Sequence, residues 1–108
     1  MSSIIDELYE VVLDRKENPE EGSYTCYLFG QGLDKILKKC GEESSEVLIA
    51  AKNGNKEDLV GEIGDLLYHL LVLMAQIGIT PDEIYALLTE RRKKIGNLKP
   101  RTASEKES

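Results

Sequence analysis

Apolar residues recur at helical spacing in several stretches of this chain, and glycine, asparagine and proline separate them. Ile4, Ile5, Leu8, Val11, Val12 and Arg15 predict an amphipathic helix over residues 3–17, with Ser2 and Ser3 before it and Asp6 and Glu7 in its first turn. Asn18-Pro19-Glu20-Glu21-Gly22 breaks that helix. Ser23 to Phe29 is a short segment of about two turns at most, closed by Gly30 and Gly32. Leu33 opens a long helix whose apolar stripe is Leu33, Ile36, Leu37, Cys40, Val47, Leu48 and Ala51. Lys52-Asn53-Gly54-Asn55 is a turn signal, because Gly and Asn accept the left-handed backbone that ends a helix. A second long helix carries Leu59, Ile63, Leu66, Leu67, Leu70 and Met74 as its stripe, with Tyr68 and Val72 on the far side. A helix apolar nearly all round is buried on more than one face. Thr80-Pro81-Asp82-Glu83 starts a last helix that Ile84, Leu87, Leu88 and Ile95 carry to Gly96. No stretch reads as a strand. The pattern predicts an all-α domain over residues 1–96, built on a long antiparallel helical hairpin, and a charged, disordered tail over 97–108.

The hairpin places acids opposite one another. Glu46 lies eight residues before Gly54 and Glu62 eight after it; Glu43 lies eleven before and Asp65 eleven after. At 1.5 Å per residue, the two pairs sit at roughly 12 and 16 Å from the turn. Glu43 and Glu46 fall along one edge of the first stripe, whereas Glu42 turns nearly opposite the core. Glu62 lies with His69 off one edge of the second stripe, and Asp65 lies further out. Gly41, Gly61 and Gly64 stand in mid-helix, where each costs about 1 kcal/mol relative to Ala. Close approach of another backbone or a ligand would explain them.

Composition narrows the classes. A net charge of -6, from 20 acidic and 14 basic residues, excludes a global basic footprint for nucleic acid. No run approaches the roughly 20 apolar residues of a membrane span, so no membrane partner is expected. Cys26 and Cys40 are read as reduced thiols, Cys40 in the core, of a soluble cytoplasmic protein.

Carboxylates gathered in one gap raise each other's pKa and call for a counter-charge. Oxygen-only ligands suit Mg²⁺ or Mn²⁺ better than Zn²⁺, and Mg²⁺ takes further ligands from substrate phosphates. Glu43, Glu46, Glu62 and Asp65 are the expected ligands; a solvated acidic face is the structural alternative. Such a site polarises a phosphoanhydride and activates a water for in-line attack. Lys35 and Lys39 project on the acid-bearing side and can hold phosphate oxygens. Ser23, Tyr24 and Thr25 either cap a helix or offer hydroxyls to a phosphate. His69 is as readily a core histidine as a catalytic one. A di-iron bundle needs Glu-x-x-His on two helices, and this chain has one His.

Glu42-Glu43-x-x-Glu46 followed by Glu62-x-x-Asp65 resembles the EExxE…ExxD signature of the all-α, MazG-like nucleoside triphosphate pyrophosphatases. Gly22-Ser23-Tyr24-Thr25, the run from Gly32 to Glu43, and Asp65-Leu66-Leu67-Tyr68-His69-Leu70-Leu71-Val72-Leu73 resemble one branch, the phosphoribosyl-ATP pyrophosphohydrolases of histidine biosynthesis, from about Ile4 to Arg92. The resemblance implies Mg²⁺-dependent hydrolysis of 1-(5-phosphoribosyl)-ATP to phosphoribosyl-AMP and pyrophosphate by a homodimer or higher homo-oligomer. It implies catalytic roles for Glu43, Glu46, Glu62, Asp65 and the weaker candidate Glu42. Lys35, Lys38, Lys39, Ser23, Tyr24 and Thr25 are its candidate substrate contacts. Ser44, Ser45 and Cys40 depart from the branch's usual residues without touching those ligands. The same acids would serve a house-cleaning nucleoside or deoxynucleoside triphosphate pyrophosphatase. A non-catalytic helical dimerisation module would leave their symmetry about Gly54 a coincidence.

Overall fold

The computed structural model describes residues 3–95, and the tail expected over 97–108 lies outside them. The described residues form five α-helices and no strand: α1 (Ile4–Glu17), α2 (Tyr24–Gln31), α3 (Leu33–Asn53), α4 (Lys56–Ile77) and α5 (Pro81–Lys94). The class is all-α.

Each boundary has a local cause. Ser3 Oγ accepts from the Asp6 N–H at 3.2 Å while Asp6 Oδ2 accepts from the Ser3 N–H, which satisfies two donors left free at a helix start. Asn55 Oδ1 accepts from the Asp58 N–H at 3.0 Å and starts α4 in the same way. Thr80 donates its N–H to Glu83 Oε2 at 2.7 Å, and Pro81 follows as the first residue of α5. Gly54 ends α3 at a φ of +72°, a left-handed backbone that a Cβ would strain.

The α3–α4 pair is packed more extensively than any other. α1 lies against α4, α2 contacts α1, α3 and α4, and α5 touches α1 alone. The core is small: Tyr9 and Val12 from α1, Leu28 from α2, Ile36 and Cys40 from α3, and Leu71, Val72 and Ala75 from α4. Polar tips on its rim reach main-chain carbonyls. Tyr9 Oη donates to Ile79 at 2.7 Å, and Lys16 Nζ donates to Ala75 at 3.0 Å.

The face of α4 turned to this core differs from the stripe that periodicity predicts. His69, Leu71, Val72 and Ala75 are the buried residues, whereas Val60, Ile63, Leu67, Leu70 and Ile77 are exposed. On α3, Leu37 and Leu48 are likewise exposed, and α5 exposes Ile84, Leu87 and Leu88. Among the described residues, 17 large apolar or aromatic side chains are exposed against nine buried apolar ones, so one chain leaves a considerable apolar surface uncovered. Periodicity finds apolar faces without saying which of two a single chain covers. By length and composition α4 can cross a bilayer, with a mean hydropathy of 1.4. That value arises because the helix is apolar on a core face and on an exposed face.

Candidate active site

Cys40, on α3, donates its thiol to the His69 carbonyl on α4 at 3.5 Å, a contact between buried residues that registers the two helices. Between these residues and Gly54 in sequence lie Glu43 and Glu46 on α3 and Glu62 and Asp65 on α4. Glu43 lies in the inward row that contains Ile36, Cys40 and Ala50, and is 7% exposed. A carboxylate in a core row is placed by the helix period, not by chance solvation.

Glu43, Glu62 and Asp65 each bring a carboxylate oxygen within 4.8 Å of the others. Glu46 is exposed beside them, and its carboxylate helps hold the Glu43 and Glu62 carboxyls above their ordinary range. Glu62 is pushed up to about 7, first by its hydrogen bond to Glu46, then by burial, then by the charges of Glu46, Glu43 and Asp65. Burial is the main reason that Glu43 also rises above its ordinary range; Glu46 and Asp65 add to it and Lys39 opposes it. Oε2 of Glu43 and Oε2 of Glu62 are buried with no hydrogen-bond partner. An orphaned buried acceptor is costly, and two beside a third carboxylate concentrate negative charge in one place. The all-oxygen donor set fits a hard divalent ion, so the residues fit Mg²⁺ or Mn²⁺.

The remaining candidates separate clearly. Glu42 is exposed and pairs with Lys39 at 3.3 Å. Lys39 also reaches Glu43 at 3.9 Å and so stands at the gap's rim. Its pKa is raised, chiefly by the Glu42 hydrogen bond. Lys35, one turn earlier on the same edge, lies over the Tyr27 ring, 6.0 Å from its centroid. Lys38 is exposed. Ser23 is the N-cap of α2, its hydroxyl accepting from the Cys26 N–H at 3.2 Å. Thr25 is buried. Tyr24 is exposed at 45%, and its hydroxyl meets His69 Nε2 at 2.9 Å. Burial raises the Tyr24 phenol above its ordinary range, with Lys39 opposing and Glu43 reinforcing, which places it in the field of the acid cluster.

His69 was legible in part. It follows Asp65 by four residues and Glu62 by seven, the spacing of one helix face, so it belongs with the acids. Its partner Tyr24 comes from a separate helix, and no local spacing predicts that contact.

A family model described as phosphoribosyl-ATP pyrophosphohydrolase matches residues 5–92. The phosphoribosyl-ATP pyrophosphatase of Pelotomaculum thermopropionicum is 62% identical over 91 residues, 84% of this chain and 93% of that protein. That of Clostridium novyi is 57% identical over 97 residues, 90% of this chain and 88% of its own. A histidine biosynthesis bifunctional protein HisIE of Lactococcus lactis is 55% identical over 98 residues, which span 91% of this chain and 46% of the bifunctional one. With the acids of α3 and α4 and the whole of α2 inside the matched span, the chain belongs to the phosphoribosyl-ATP pyrophosphohydrolase family and is a hydrolase of phosphoanhydrides.

Proposed function

We propose that this chain hydrolyses 1-(5-phosphoribosyl)-ATP between its α and β phosphates, giving phosphoribosyl-AMP and pyrophosphate in the second step of histidine biosynthesis. The observation that carries this reading is the α3–α4 carboxylate cluster, with two buried oxygens that lack partners, inside a chain of this family. Glu43, Glu62 and Asp65 would hold Mg²⁺ or Mn²⁺, with Glu46 completing the set. When bound, the ion neutralises the carboxylates and draws charge from the phosphoanhydride. The protein's own groups do the rest. Lys39 and Lys35 lie along one edge of α3, where ammonium groups hold phosphate oxygens. Water attacks the α-phosphorus, the bond to the bridging oxygen breaks, and a carboxylate of the cluster takes the water's proton.

The working unit is a homo-oligomer in which α3 and α4 form an antiparallel hairpin. Val60, Ile63, Leu67 and Leu70 of α4 and Leu37 and Leu48 of α3 leave an exposed apolar surface. A Cβ added at Gly41, Gly61 or Gly64 would meet nothing within 4 Å in this chain. A second copy packed on this surface would cover the stripe and give those glycines a neighbour. The free thiols of Cys26 and Cys40 suit a cytoplasmic setting.

Phosphorus NMR of the products tests the bond cleaved. Phosphoribosyl-AMP with pyrophosphate is the expected pair. Inorganic phosphate as the first product would mean attack at the γ-phosphorus and would overturn the assignment.

A further inference from the structure

The His69 ring is buried, lies one turn beyond Asp65, and makes two hydrogen bonds, neither to a carboxylate. Its Nδ1 is 2.7 Å from the Asp65 main-chain carbonyl. A carbonyl oxygen only accepts, so Nδ1 carries the hydrogen. In the neutral ring Nε2 then has a lone pair and no hydrogen, and the Tyr24 hydroxyl, 2.9 Å away, must be the donor. The imidazole is held edge-on between two aromatic rings, Tyr24 at 5.7 Å and Tyr68 at 5.4 Å, which fixes the plane of both bonds.

This direction decides what Tyr24 can offer a ligand. Its one hydrogen is committed to His69, so its oxygen presents lone pairs to the rim where Glu43, Glu42 and Lys39 act on it. At the Tyr24 oxygen itself an ionised phosphate oxygen, which only accepts, finds no donor, whereas a sugar hydroxyl, which can donate, finds an acceptor. The acid cluster is placed to take the phosphate chain, and the sugar is the next group along a nucleotide.

We propose that His69 is a positioning residue that draws the Tyr24 hydroxyl hydrogen inward, so that Tyr24 accepts a hydrogen bond from a sugar hydroxyl of the substrate rather than donating one to phosphate. This rests on a phosphoribosylated nucleotide binding at the cluster.

The chain has a single histidine, so protein labelled with ¹⁵N-histidine reports one imidazole. The neutral ring should show its hydrogen on Nδ1, and Tyr24→Phe should shift Nε2. A hydrogen on Nε2, or an Nε2 indifferent to Tyr24→Phe, would overturn the proposal. In kinetics, Tyr24→Phe should raise KM about threefold to tenfold, the worth of one hydrogen bond, with kcat little changed. It should weaken competitive inhibition by AMP similarly and leave inhibition by inorganic pyrophosphate unchanged. Weaker pyrophosphate inhibition would mean that Tyr24 donates to phosphate after all. His69→Gln should raise KM alone yet add nothing in the Tyr24→Phe background; multiplied effects would sink the positioning role. If His69→Gln fails to fold, Tyr24→Phe carries the test. A wild-type protein inactive on phosphoribosyl-ATP would refute the functional reading instead, and the NMR arm would still decide the direction of the bond.

Discussion

Glu43 on α3 and Glu62 on α4 each bury one carboxylate oxygen, Oε2, without a hydrogen-bond partner. An unsatisfied buried acceptor is costly, so the pair is a liability to the fold that a bound cation would relieve. Glu43→Gln should therefore separate stability from function. The amide removes a charge and supplies hydrogens to the remaining carboxylates. The metal-free variant should gain about 1 kcal/mol, or roughly 4 °C in the thermal midpoint. Turnover should fall on the order of 10²-fold or more, since even partners behind a metal's ligands cost up to that much. Scanning calorimetry and an assay of pyrophosphate release check both halves. A variant that loses stability and keeps activity would contradict the role given to Glu43.

The same crowding sets a pH dependence. Glu62 titrates near 7 when folded against an ordinary 4.5, so the folded state binds this proton more tightly than the unfolded one. Its contribution is then complete below about pH 4.5 and is lost as pH rises through about 7. Glu43 is shifted in the same direction. Asp6 is lowered, chiefly by its bond to the Ser3 backbone, and its contribution is lost only as pH falls below the ordinary carboxylate range. Between about pH 5 and pH 8 the acid pair governs. Metal-free protein should melt at a lower temperature at the alkaline end, and Glu62→Gln should flatten that slope. A rising midpoint in the wild type would show that the carboxylates do not share the gap when folded.

Chelation gives a direct account of the ion. Exhaustive EDTA treatment should reduce pyrophosphate release to background, and Mg²⁺ or Mn²⁺ should restore it. The metal-free chain should keep its helical circular dichroism, because the apolar core is built without any of the cluster's carboxylates. Activity that survives chelation would remove the cation from the site.

Gly64 discriminates a lone chain from an assembled one. Within one chain an added Cβ meets nothing within 4 Å, so Gly64→Ala should stabilise an isolated α4 by about 1 kcal/mol. If a second copy packs closely there, the same change should instead shift sedimentation toward the monomer. A more stable variant of unchanged oligomeric state would mean that nothing approaches Gly64.

Much of the fold was legible because helix starts and stops are written locally. Ser3, Asn55 and Thr80 cap helices through atoms within three residues of themselves, and Gly54 marks the turn by its own backbone. The acids were legible because symmetry about Gly54 follows from helix rise alone. Contacts between separate elements were not. The inward placement of Leu71 and Ala75, the outward placement of Ile63 and Leu67, and the Tyr24–His69 bond all depend on how α1 and α2 lie against α4. Periodicity describes a helix's surfaces, and only packing assigns them neighbours. Thr25 illustrates the limit: it adjoins Tyr24 in sequence, yet it is buried where Tyr24 is exposed.

The central claim is that these carboxylates act on a phosphoribosylated nucleotide. Its most direct test compares rates of pyrophosphate release, with Mg²⁺, from phosphoribosyl-ATP, ATP and a panel of deoxynucleoside triphosphates. The account predicts a preference for phosphoribosyl-ATP of at least about 10²-fold in kcat/KM, because a site built to bond the extra sugar discriminates strongly against substrates that lack it. Equal or faster release from a free nucleotide would contradict it and make the chain a house-cleaning pyrophosphatase on the same scaffold.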